Sequence, residues 1–171
     1  MALSPTPSPP TRRQFLWTSV AGMLAAGHTG GASGAARPVA ADEEAPPGVA
    51  AAPAIVRELR VTLDQAVRRF QAKDLPGVLA HVSDKYWTGF LTKAALRNQL
   101  GAIFRTHRAV RAPIRIDDVR MVGEHAWVYT TGVMEGTLPL VDRWYTLFSW
   151  DTELEVARRE GGAWRLYGYQ N

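Results

Sequence analysis

Cysteine is absent from the 171 residues, which excludes disulfides, thiolate metal sites and a lipidated cysteine anchor. Histidine is scarce, at 4, and His81, His107 and His125 fall at no metal-ligand spacing, so neither a metal nor a cofactor is expected. A long hydrophobic run is also missing. The stretch Val20 to Ala26 is far short of the about 20 apolar residues that a membrane-spanning helix needs, so no stable membrane anchor is expected. Excess charge is nearly missing too. The formal net charge is +4, but Arg12, Arg13 and Arg37 lie in the first 41 residues, where there is no acid. Subtracting these three from the 20 basic residues leaves 17 against 16 acidic ones, a balance near +1. A nucleic-acid partner loses its main support with that excess.

What is present at the front is "TRRQFLWTSVAGMLAAG", residues 11–27. Before it, "MALSPTPSPP" carries four prolines in ten residues and cannot be helical. After it comes a Gly-, Ala- and Pro-rich stretch that suits a linker. A basic start, a short apolar segment and small residues before a cleavage point are the parts of a signal peptide. "TRRQFL" resembles the twin-arginine export signal, with Arg12 and Arg13 as the pair that the translocase reads. Weak hydrophobicity around Gly22, Ala25 and Ala26 suits that route. Cleavage after Ala35, Ala36 or Ala41 is compatible with the small residues there. The expected organisation is a signal peptide over 1–41, a disordered linker over 42–54 and one domain over 55–171, placed in the periplasm or secreted. No internal repeat is visible.

The domain opens with helical periodicity. Val56, Leu59, Leu63, Ala66, Val67 and Phe70 form one stripe, with Arg57, Arg60, Asp64, Arg68 and Arg69 mostly off it. Asp74 then caps a short second helix whose stripe is Leu75, Val78, Leu79 and Val82, with Pro76 in the first turn. Thr92 caps a third, through Leu96, Leu100, Ile103 and Phe104. From Pro113 onward the pattern alternates. "PIRIDDVRMV" and "HAWVYTTGVM" form a hairpin, "DRWYTLFSWDTELEVARRE" is a long strand, and "GG" turns into "AWRLYGYQ". Three helices followed by antiparallel strands predict an α+β fold with the helices packed on a curved sheet.

The segments "AVRRFQAKDLPGVLAHVSDKYW", "TKAALRNQLGAIF" and the closing "RREGGAWRLYGYQ" resemble the nuclear transport factor 2-like superfamily, which includes SnoaL-like cyclases and ketosteroid isomerases. That resemblance covers nearly the whole domain. It implies a cone-shaped sheet with one mostly apolar pocket, and it leaves function open. It also implies what an isomerase would need: a carboxylate base where Phe90 stands, and a tyrosine in the first helix, which holds Phe70 instead. Cyclases place an acid on the last strand, and "WRLYGYQN" has none.

The expected function is therefore a non-catalytic exported domain that binds a small apolar or aromatic molecule, or a partner protein, in that pocket. Tyr86, Trp87, Phe90 and Tyr129 are the candidate lining. The alternative is a small isomerase, cyclase or hydrolase using Asp117 or Asp118 with Tyr129. The two aspartates are adjacent on a strand and point to opposite faces, so at most one of them faces the pocket, and pairing with Arg115 and Arg120 is the plainer use for both. "RTHRAVRAPIR" is a local basic run that suits a solvated helix end and strand edge. In the long strand, alternation puts Trp144, Thr146, Phe148, Trp150, Thr152, Leu154 and Val156 on one face. Asp151, Glu153 and Glu155 fall on the other with Tyr145, Leu147 and Ser149. That part-apolar, part-acidic face suits a wet dimer contact, and a homodimer is expected.

Overall fold

The computed structural model describes residues 47–169 except Phe90. The signal peptide expected over 1–41 and the first part of the linker lie outside the described residues. The rest of that linker is structured. Val49–Ala50 (β1) pairs with Met121 and Arg120 of the later sheet, and helix α1, Pro53–Gln71, begins two residues before Ile55. Proline in a linker and proline in the first turn of a helix look alike in sequence, because the first turn needs no N–H from it.

Leu59 and Phe70, from the apolar stripe of α1, are buried. Lys73, at φ 56°, turns the chain. Asp74 then accepts a hydrogen bond from the Gly77 N–H (3.0 Å) to start α2, Leu75–Leu79. That helix is shorter than its stripe suggested. Val82 belongs to a parallel bridge with Leu166, and the backbone of His81 and Ser83 pairs with Leu166 at 2.8 Å on each side. Sheet bonding takes this backbone before another helical turn forms. Trp87–Thr88 (β2) and Leu91–Thr92 (β3) make a small hairpin, and the Thr92 hydroxyl caps α3, Lys93–Thr106 (3.2 Å to the Ala95 N–H). Lys93 bridges back to the Val82 carbonyl and Asp84, both at 2.7 Å.

The remainder is a curved antiparallel sheet, so the chain is α+β. β5 (Ile114–Val122), β6 (His125–Leu138), β7 (Val141–Glu160) and β8 (Ala163–Leu166) follow one another, with β1 outside β5. β4 (Ala109–Arg111) continues the β5 edge of β6 beyond Pro113. Gly161 and Gly162 both hold positive φ, 58° and 83°, which a two-residue turn matched to strand twist requires.

The sheet's inner face meets α1. Leu59 packs with Val119, Ala126, Val128, Ala157 and Trp164, flanked by Ile55, Val56, Ile116 and Met121. Small side chains at 126 and 157 admit the helix closely. The Trp164 indole N–H donates to Glu58 Oε2 (3.0 Å), and Arg159 pairs with the same carboxylate. Phe70 and Phe104, with ring centres 5.4 Å apart, join α1 to α3.

The long strand does not alternate evenly. Thr130 lies opposite Glu153 and Gly132 opposite Trp150, so β7 spends three residues where β6 spends two. The extra residue sits at Asp151–Thr152, where Thr152 adopts φ 51°. A second irregularity follows between Met134 and Glu135. Bulges bend a strand and change which residues face in.

Candidate functional site

The bulge decides the chemistry of the interior. Val128 belongs to the core under α1, and Glu155 is its partner across the ladder. Directly opposed residues share a face, so Glu155 points inward, as does Glu153 opposite the buried Thr130. Trp150, before the bulge, also faces in, and its indole N–H donates to the Thr130 hydroxyl (3.0 Å). Phe148 stacks on Trp150, with ring centres 5.5 Å apart. The even alternation expected for this strand would have put Trp150 and the two glutamates on opposite faces. They share one because Thr152 takes a left-handed conformation that β-branched residues rarely adopt. It is held there by local bonds. The Thr152 N–H donates to Thr131 Oγ1 (3.0 Å), and its hydroxyl donates to Asp151 (3.2 Å).

Glu155 is only partly accessible. Desolvation first, and the neighbouring charge of Glu153 second, push its carboxyl up to about 8. Glu153 is also raised by burial. Tyr86, from the segment after α2, is 3% exposed. Its phenol is pushed well above the usual range by burial, and further by the charge of Glu155. Among the described residues, the Tyr86 hydroxyl has no hydrogen-bond partner, and none donates to Glu155. At neutral pH this interior therefore holds a protonated carboxylic acid and a phenol, both uncharged and both with hydrogen-bonding capacity left over. Such a pair can donate to an oxygen of a bound molecule, and the acid can release or take a proton near neutrality.

Of the residues singled out in the sequence, the structure brings Asp118 and Tyr129 together, but on the face away from Tyr86. Tyr86 faces inward, whereas Trp87 is 44% exposed, and Phe90 lies outside the described residues. Tyr129 alternates with the inward Val128 and Thr130 and so stands on the outer face. Asp118 is opposite Tyr129 on that face and pairs with Arg120 (3.5 Å). Asp117 is bonded by Arg115 and the Thr131 hydroxyl, both at 2.6 Å. These partners, Thr131 first, hold its carboxyl below the ordinary range. An ionised, doubly bonded carboxylate on the outside is poorly placed as a base for an interior ligand. Burial raises the Tyr129 phenol, and Arg120 opposes that shift. The outer face keeps Asp151, bonded to the Thr131 hydroxyl (3.0 Å), but not Glu153 and Glu155, and it carries Trp127 edge-on to Tyr169 (5.7 Å) and His125 beside Tyr167 (5.2 Å).

Glu153 and Glu155, expected on the outer face with Asp151, are turned inward by the bulge. A Thr at the positive-φ position leaves no trace in the alternation, whereas Gly or Asn there would have signalled a bulge.

Among the described residues, no group of three His, Asp or Glu is placed to hold a metal, and no helix is long and apolar enough to cross a membrane. An open groove of ≈ 500 Å³ beside α1 is lined by Gln65, Arg68, Arg69, Ala72 and His81, away from Glu155.

No protein-family model matches the sequence, and no curated protein matches it either. Solved structures do. A conserved protein from Planctomyces limnophilus superposes with a TM-score of 0.57 at 13% identity, over 67% of this chain and 92% of that one. A candidate scytalone dehydratase from Novosphingobium aromaticivorans gives 0.55 at 10% identity, over 67% and 80%. A candidate dehydratase of the nuclear transport factor 2-like family from Streptomyces avermitilis gives 0.51 at 12% identity, over 66% and 91%. Similarity at this level of identity concerns the backbone. By its architecture, the chain has the nuclear transport factor 2-like fold.

Proposed function

We propose that this is an exported domain that binds a small, mainly apolar or aromatic molecule between the helices and the inner face of a cone-like sheet. The observation that carries the reading is the Tyr86 hydroxyl, buried without a hydrogen-bond partner among the described residues and close enough to the raised Glu155 carboxyl to feel its charge. Buried polar groups without partners are rare in proteins and call for a specific reason. A ligand oxygen, carbonyl or hydroxyl, supplies one here. The apolar remainder would meet Trp150, Phe148 and the neighbouring aliphatic side chains.

A second reading is favoured by the Glu155 carboxyl at about 8. An acid that titrates near working pH is suited to proton transfer. Candidate dehydratases among the structural relatives share this fold. Glu155 then takes the role that the sequence offered to Asp117 or Asp118.

One experiment separates the readings. The protein is titrated with a panel of aromatic and alicyclic ketones and alcohols while tryptophan emission is followed, and isomerisation and dehydration are assayed in parallel. Glu155→Gln or Tyr86→Phe weakens saturable binding about tenfold, which corresponds to the loss of one good hydrogen bond. Asp117→Asn has no effect. Turnover lost in Glu155→Gln while binding persists selects the catalytic reading. Binding indifferent to both Glu155 and Tyr86 refutes the site.

The export part of the proposal rests on "TRRQFL". Changing Arg12 and Arg13 together to Lys leaves the full-length chain inside the cell. Normal processing of that variant would mean the leader is read by another route.

A further inference from the structure

Among the described residues, seven large hydrophobic side chains stand exposed, and four of them are Leu138, Leu140, Val141 and Trp144. They fall within seven positions at the tip of the β6–β7 hairpin. Leu138 pairs with Val141, so Pro139 and Leu140 form the turn itself, and Leu140 is 98% exposed. Behind this closing pair the next rung is Thr137 opposite Trp144. β7 therefore loops out two residues, Asp142 and Arg143. Tip positions of soluble hairpins are ordinarily polar or glycine, and a concentration of exposed apolar side chains marks an interaction site.

Polarity around the tip is layered. The aliphatic residues come first, Trp144 and Tyr145 next, and arginines stand against the rings. The Arg111 guanidinium lies 4.2 Å from the Trp144 ring centre, and that of Arg143 lies 5.9 Å from Tyr145. Arg108 is alongside, since its N–H donates to the Thr137 carbonyl (2.7 Å). Two acids, Glu135 (bonded to Arg111 at 2.6 Å) and Asp142, leave an excess of positive charge among these five groups. Apolar tip, aromatic collar and basic rim match the order of acyl chains, interface and anionic headgroups in a bilayer leaflet. A second copy of the chain is a poorer fit. A stable dimer buries about 800 Å² on each partner, more than one hairpin turn presents, and among the described residues the open groove beside α1 is lined by Arg68, Arg69 and His81.

We propose that the Leu138–Trp144 hairpin tip is a peripheral docking element that inserts shallowly into a membrane surface rich in anionic lipid. One hairpin anchors weakly, so the association is reversible and sensitive to salt.

The test uses the full chain and sedimentation with vesicles of phosphatidylcholine, with and without an equal share of phosphatidylglycerol. The protein partitions onto the anionic vesicles. Leu140→Glu lowers that partition at least tenfold, and Arg143→Glu lowers it several-fold at low salt only. Leu140 is almost fully exposed, so circular dichroism and melting of Leu140→Glu match the parent. Lipids brominated in their upper acyl chain quench tryptophan emission, and Trp144→Phe removes most of that quenching. Equal partition of Leu140→Glu and the parent overturns the proposal. So does association between copies that Leu140→Glu abolishes without any vesicle binding, which would assign the tip to a protein contact.

Discussion

Replacing Glu155 with Gln stabilises the folded protein at pH 7.5 by about 2–4 kcal/mol, and the gain disappears at pH 4. The carboxyl releases its proton near 4.5 in the unfolded chain and near about 8 in the folded one. Between those values the unfolded state binds fewer protons than the native state. Stability therefore falls as pH rises, by roughly 1.4 kcal/mol for each pH unit. The penalty is absent below 4.5 and complete above about 8. Glutamine has no proton to lose, so its stability curve lacks this descent. Urea unfolding of both proteins from pH 4 to 8.5 measures it: the two curves meet at the acid end and separate upward. Curves that stay parallel would mean that Glu155 titrates as an ordinary surface carboxylate, and the interior site would lose its acid. At sites where a group costs stability at neutral pH, stability and activity commonly oppose each other.

Trp164→Ala destabilises the fold by about 3–5 kcal/mol, the usual loss when a large buried aromatic is deleted and its cavity stays open. The indole is 6% exposed and belongs to the cluster that seats α1 on the sheet through Leu59, Val128 and Ala157. A domain of this size has a net stability of about 5–15 kcal/mol, so the variant sits close to unfolding at physiological temperature. Trp164→Phe keeps most of the packing and leaves a ring beneath the Arg159 guanidinium (5.1 Å from the indole centre), while losing the N–H donated to Glu58. Because that carboxylate is half exposed and also held by Arg159, water replaces the lost donor and the cost is about 1 kcal/mol or less. Denaturant midpoints of the two variants check the ordering. A cost below 1 kcal/mol for the alanine variant would show that α1 is held elsewhere.

Much of the local structure was legible in the chain. Leu59 and Phe70 declare the buried side of α1 by their spacing, because a helix returns to the same face every 3.6 residues. Asp74 and Thr92 mark two helix starts, since their side-chain oxygens satisfy N–H groups that the first turn leaves unpaired. The paired glycines 161 and 162 announce the last hairpin. Each of these signals is local and lies within a few residues of the feature it dictates.

The interior site was not legible, for a matching reason. Whether Glu153 and Glu155 face α1 or solvent depends on one extra residue at Asp151–Thr152, accommodated by bonds to Thr131 across the ladder. Tyr86 is drawn inside because the backbone of 81–83 pairs with Leu166, more than eighty positions later. Sequence by itself determined the α+β order of elements, the capped helices, the closing turns and the apolar stripe on α1, because these follow from periodicity and near-neighbour hydrogen bonding. Which carboxylates are desolvated, and that a phenol waits beside them, was decided only by tertiary structure. Strand register and burial are set by distant partners, and one bulge exchanges the two faces of a strand.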